Sequence, residues 1–188
     1  MKPQKYGPFP YTPITQRPKI TWPGGAQLAL WIIPNVEFFP LDEIVPVRGP
    51  SAPVPDVPSW SQRDYGARIG IFRIMEVLNR HGIKGTVTLN SEVCDAYPYV
   101  VEEIMRLDWE IMGHNQSNSR LLNGLEPEAE RELILGALAR IEEFTGKRPT
   151  GWLGSGLQET WNTLDYLIEG GIRYVADWTN DDQPYLMN

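Results

Sequence analysis

The stretch Asp108-Trp109-Glu110-Ile111-Met112-Gly113-His114-Asn115-Gln116-Ser117-Asn118 decides how this chain is read. A short apolar strand over residues 109–112 runs into a glycine, a histidine and a polar loop. One of only two histidines therefore stands just past the C-terminal end of a buried strand. In α/β folds chemistry gathers there, because rigid strand ends hold the side chains that converge on that side. The other histidine, in Arg80-His81-Gly82, reads as a helix C-terminus with its glycine stop.

Outward from this strand the chain alternates. Residues 27–33 form a near-continuous apolar run ended by Pro34, which predicts a strand buried on both faces. Pro40, Pro46, Pro50, Pro53, Pro55 and Pro58 then predict a long irregular loop, each removing an N–H and fixing φ. From Ser61 the period becomes helical, with Ile71, Ile74, Met75 and Leu78 on one face and Gly82 as the stop. Residues 86–89 read as a second strand, and 91–106 as a helix broken at Pro98. Pro127 opens a helix with the stripe Leu133, Ile134, Ala137, Leu138, Ile141 and Phe144, stopped by Gly146. Residues 150–153 and 174–176 give strands four and five, separated by a short helix capped by Asn162 and closed by Gly170-Gly171. Alternation of this kind implies parallel strands with right-handed crossovers. A closed barrel needs more strands than five. The expectation is an open sheet or the N-terminal part of a larger (β/α) barrel.

The composition sets limits. In 188 residues, 41 % of them hydrophobic, one sizeable core can form. No apolar run is long enough for a membrane span, and the Pro-rich residues 1–26 read as an extended arm without an apolar signal core. Together with the single cysteine, Cys94, this predicts a cytoplasmic protein with no disulfide within the chain and no thiolate metal cluster. A net charge of −7 without a basic block argues against a nucleic-acid partner. No membrane partner is expected, and homo-oligomerisation is left open.

In a parallel sheet the loops after every strand emerge on one side. Those loops carry Asn35 and Glu37, Asn90 and Glu92, His114 and Asn118, Trp152 and Gln158, then Asp177, Asp181 and Asp182. Carboxylate plus imidazole is the ligand set of a hydrolytic zinc-like ion, which lowers the pKa of bound water to about 7. The same groups without metal can act as general acid and base. Each signal has a plainer reading. A histidine after a strand is often a loop hydrogen-bonder, a glutamate beside a long loop is often solvated, and Asp177 could cap a turn. Asp181 and Asp182 fit a solvated acidic turn. Arg68, in what reads as a helix start, could reach an acidic site.

The ordered motifs Asn35-Val36-Glu37, Tyr65-Gly66-Ala67-Arg68-Ile69-Gly70, Glu110-Ile111-Met112-Gly113-His114, Gly146-Lys147-Arg148-Pro149-Thr150-Gly151-Trp152 and Asp181-Asp182-Gln183-Pro184-Tyr185 resemble the polysaccharide deacetylase (NodB-homology) family. Within it they look most like the branch of metal-independent allantoinases and related cyclic-amide hydrolases. The resemblance spans roughly residues 20–188. It implies a distorted (β/α) barrel that hydrolyses a non-peptide C–N bond, with residues 27–188 as the catalytic domain. Position for position, the family's base aspartate falls on Asn35, its metal aspartate on Glu37, and its two histidines on His114 and Asn118. Asn35 cannot take a proton, and Asn118 is a weak zinc ligand beside imidazole. The family's late histidine motif has no counterpart before Asn188, which implies an incomplete barrel.

The resemblance thus implies Glu37, His114 and Asp177 as catalytic residues, with Asn35, Arg68, Asn118, Trp152 and Asp181 around a small-molecule or sugar amide. Glu37 and His114 are the ligands if one divalent, zinc-like metal binds; otherwise no cofactor is needed. The alternative is an inactive carbohydrate- or ring-binding module, or a truncated fragment of such an enzyme.

Overall fold

The computed structural model describes residues 2–187; positions 1 and 188, the outer limits of the expected arm and domain, lie outside the described residues. Five short strands form one sheet in sequence order: β1 (Asn35–Val36), β2 (Thr86–Leu89), β3 (Glu110–Gly113), β4 (Gly151–Trp152) and β5 (Tyr174–Val175). Every neighbouring pair is parallel. Strands laid down in order by same-handed crossovers keep all their helices on one face. The result is an arc of a (β/α) barrel, unlike a doubly wound sheet, whose strand order reverses.

The helices are α1 (Val57–Tyr65), α2 (Ile71–Arg80), α3 (Val93–Ala96), α4 (Pro98–Arg106), α5 (Pro127–Thr145) and α6 (Thr163–Glu169). A π-helical turn, Gly66–Gly70, joins α1 to α2. The break before Pro98 falls at Tyr97, where φ is −136°, as the steric demand of a following proline requires. Helix α5 starts at Pro127 and ends on left-handed Gly146, φ 71°.

Register divides the sheet into two faces. Residues 35, 88, 112, 151 and 174 lie side by side across it, and 36, 89, 113, 152 and 175 form the next row. Adjacent rows point to opposite faces. The second row meets the helices: Val36 and Leu89 pack with Ile71, Met75, Val101 and Ile104, and Trp152 packs with Leu133, Ile134, Leu138 and Leu167. The first row therefore lines the concave face, where Asn35 and the residues one step past the strand ends are found.

Four expectations need correction. The run 27–33 is not a doubly buried strand, since Leu28, Leu30 and Trp31 are exposed. Backbone bonding to β2 begins at Ile32, whose carbonyl accepts from Thr86 N–H at 3.0 Å. Helix begins at Val57, inside the loop expected over residues 40–60, because Asp56 caps it by accepting from Ser59 N–H at 3.2 Å. Ile74 is exposed on the cleft described below, and Asn162 makes no side-chain cap bond. There Thr163 Oγ1 accepts from Thr160 N–H at 2.7 Å instead.

The N-terminal segment lies against the last described residues. Phe9 packs on Trp178 and Tyr185, with ring centroids 5.2 and 4.6 Å away. Arg17 Nη1 is 2.6 Å from Asp181 Oδ1.

Candidate active site

Glu37 follows β1 and His114 follows β3, two positions beyond Asn35 and Met112 respectively, so both belong to the concave face. Glu37 Oε1 lies 3.5 Å from His114 Nε2, and the side chains are 29 % and 3 % exposed. The other ring nitrogen, Nδ1, meets the carbonyl oxygen of Leu153. A carbonyl only accepts, so Nδ1 carries the hydrogen. In the tautomer protonated at Nδ1 alone, Nε2 presents its lone pair towards Glu37, and that buried nitrogen has no hydrogen-bond partner.

Asn90 joins the pieces. Its Oδ1 accepts from Phe38 N–H at 2.8 Å, and its amide donates to the His114 carbonyl and to Asn118 Oδ1, the latter at 3.2 Å. Ser155 Oγ donates to the same Asn118 oxygen at 2.5 Å. With its oxygen so occupied, Asn118 turns its NH2 outward and donates to Glu37. Asn35 Nδ2 donates to Glu37 Oε1 at 3.4 Å. Burial pushes the Glu37 pKa up most strongly, but the proximity of His114 and the amides of Asn118 and Asn35 outweigh it and hold it below its ordinary value. Glu37 stays an anion.

Beside this pair opens a cleft of about 210 Å³, lined by Asn35, Glu37, Phe39, Arg63, Gly66 and Ile74 among others. The π turn forms one wall, and such turns recur at functional sites. A Cβ built on Gly66 meets no atom within 4 Å, so the glycine leaves the cleft wide.

Other predicted residues lie elsewhere. Trp152 does not wall the pocket: it is 0 % exposed and sits in the row facing α5 and α6. Arg68 pairs with Asp64 and is not among the residues that line the cleft; Asp64 in turn accepts from Tyr97 Oη at 2.7 Å. Asp181 is engaged by Arg17. Asp177 accepts from Gly154 N–H at 2.6 Å and faces Glu159. No described hydrogen bond joins it to Glu37 or His114, so it touches the site only through the 153–154 peptide segment. Burial first, then the Glu159 charge, pushes Asp177 up to about 8, against the pull of the Gly154 N–H. Ser155 and Arg63 were not singled out by the sequence, and Asn90 was named only among the strand-end residues, with no role. Asn90 shares with Asn35 and His114 the one signal available, a polar side chain at a strand end.

Residues 62–175 match the polysaccharide deacetylase family. The chain belongs to that family. The chain is 23 % identical over 125 residues to the peptidoglycan deacetylase-like protein FGM2 of Gibberella zeae, covering 65 % of this chain and 37 % of that protein. Its fold matches the PuuE allantoinase with a TM-score of 0.77 at 26 % identity, covering 91 % of this chain and 60 % of the other. A protein named as a probable polysaccharide deacetylase from Pseudomonas aeruginosa PAO1 matches with a TM-score of 0.76 at 27 % identity, covering 91 % and 61 %. The chain thus spans just over a third of the curated relative and about six-tenths of these solved structures. The NodB-type (β/α) barrel is the fold, represented here by five strands.

The divalent ion common in the family finds a poor cradle. A catalytic zinc takes three protein ligands and a water. Glu37 and His114 offer two donors, while Asn118 and Asn35 aim N–H groups, which cannot ligate, at the carboxylate. Among the described residues no three His, Cys, Asp or Glu side chains converge. The donor set does not fit the ion. Among the described residues, no helix is long and apolar enough to cross a membrane.

Proposed function

We propose that this deacetylase-family chain hydrolyses a non-peptide C–N bond in a small cyclic amide, by side-chain chemistry without a metal. One observation carries the reading: the unpartnered His114 Nε2 set 3.5 Å from an ionised Glu37. His114 takes a proton from water as its oxygen attacks the amide carbonyl. The proton then passes from the imidazolium to the leaving nitrogen as the C–N bond breaks. Glu37 stabilises the imidazolium between those steps, as the carboxylate does in a serine-protease triad. Asn35, standing where the family's base is expected, cannot accept that proton and serves as a donor.

The cleft supports a small ring over a polymer, since about 210 Å³ falls below the roughly 300 Å³ where drug-sized pockets begin. Structural likeness to an allantoinase points the same way. The test is hydrolysis of hydantoin-type rings and of N-acetylglucosamine oligomers by wild type and His114→Ala. Ring opening by wild type alone supports the proposal. Equal rates remove His114 from the chemistry, and binding without turnover makes the chain a ring-binding module.

A further inference from the structure

The cleft holds one cation whose role neither the family motifs nor the Glu37–His114 pair accounts for. Arg63, on α1, lines it together with Glu37 and Asn35. Its guanidinium stacks on Phe39, 4.6 Å from the ring centroid, and Nη1 donates to the Ser59 carbonyl at 2.9 Å. These two contacts fix the plane of the group. Yet no carboxylate among the described residues lies within the 4 Å of an ion pair with it, while nine other arginines have such a partner. A guanidinium carries five N–H donors, and Ser59 uses one.

We propose that Arg63 determines specificity by binding a carboxylate carried on the substrate ring, beside the amide that faces Glu37 and His114. The inference rests on the cyclic-amide reading and narrows it. A planar fork held flat against an aromatic ring is shaped for two coplanar acceptor oxygens. The lining then carries both signs, the anion of Glu37 and the cation of Arg63. Glu37 receives N–H groups and repels an anion, so a carboxylate-bearing ring enters in one orientation, with its carboxylate on Arg63 and its amide towards His114. A neutral N-acetyl sugar has nothing to offer the guanidinium that water does not.

The experiment measures binding and turnover separately. Hydantoin-5-acetate and the isosteric hydantoin-5-acetamide are titrated calorimetrically into the full chain. The acetate binds wild type about tenfold or more tighter, the increment of a charge-assisted forked bond. Arg63→Gln removes that preference, Arg63→Lys keeps part of it, and Arg68→Gln, outside the cleft, leaves it whole. Because Arg63 also supports Phe39, a second measurement uses wild type only: acetate affinity falls with added salt and acetamide affinity does not. Equal affinities in wild type, no binding of either ring, or a preference that survives Arg63→Gln overturns the proposal. A preference lost in Arg63→Gln with no ring opening in wild type keeps Arg63 as the anion site and removes the hydrolytic reading alone.

Discussion

Glu37 Oε1 stands 3.5 Å from His114 Nε2, although the two side chains come from strands that do not touch, with β2 between them. The pair exists because Asn90, at the end of that middle strand, bonds to the loops on both sides. Glu37→Gln keeps the shape and removes the charge. Amide hydrolysis should fall by about 10²-fold or more, the usual scale for an acid–base partner, with the melting curve unchanged. An unchanged rate in a steady-state assay rules Glu37 out.

Asn90→Ala should cost both stability and activity. The residue is fully buried, and truncation strands the Phe38 N–H and frees the Asn118 amide. Stranding buried polar groups costs about 1–3 kcal/mol each, so the urea midpoint should drop visibly. Ring-opening activity should fall beyond the unfolded fraction. A variant as stable and active as wild type contradicts the role of Asn90 as the joint.

Two glycines should respond in opposite ways. A Cβ on Gly113 comes within 2.7 Å of the Trp152 ring, and overpacking of this kind costs about 1–3 kcal/mol. Gly66 has right-handed helical angles and open space around it, so Gly66→Ala should be neutral or stabilising by about 0.5–1 kcal/mol. Gly66→Leu should fold normally and lose ring binding. Denaturant melts with calorimetry separate these outcomes.

The Asp177–Glu159 contact makes stability depend on pH. Asp177 moves from an ordinary 3.8 to about 8, so the folded chain holds a proton that the unfolded chain releases. The contribution is whole below about pH 4 and is lost as pH rises towards 8. Wild type should therefore lose stability between pH 5 and 8.5, and Asp177→Asn should flatten that slope while still accepting from Gly154 N–H. Parallel profiles for the two proteins would exclude the shared proton.

Prolonged dialysis against a strong chelator should leave ring hydrolysis unchanged, and added zinc should not raise it, because two donors make an incomplete zinc cage. Activity lost to the chelator and restored by zinc would show that the donor set has been misread.

Much of this architecture was legible in the chain. Prolines and glycines at helix ends, and the strand leading into His114, marked the alternation and one histidine worth following. Trp152 was misplaced because sequence gives strand position and not lateral register. One residue of slip exchanges faces, and only the pairing of Gly113 with Trp152 turns the indole into the core. Arg68 was named and Arg63 was not for a related reason. The π turn Gly66–Gly70 breaks the 3.6-residue period, so no helical wheel drawn through it predicts which arginine enters the cleft. Asp181 seemed solvated because its partner, Arg17, comes from the far end of the chain.

That last contact, with the packing of Phe9 on Trp178 and Tyr185, ties together segments from the two extremities of the sequence. Neither can peel away while the other stays seated. A protease cutting near Gly24 and Gly25, both exposed and left-handed, would unlatch the residues around Trp178 without touching them, and local fraying at one extremity would be felt cooperatively at the other.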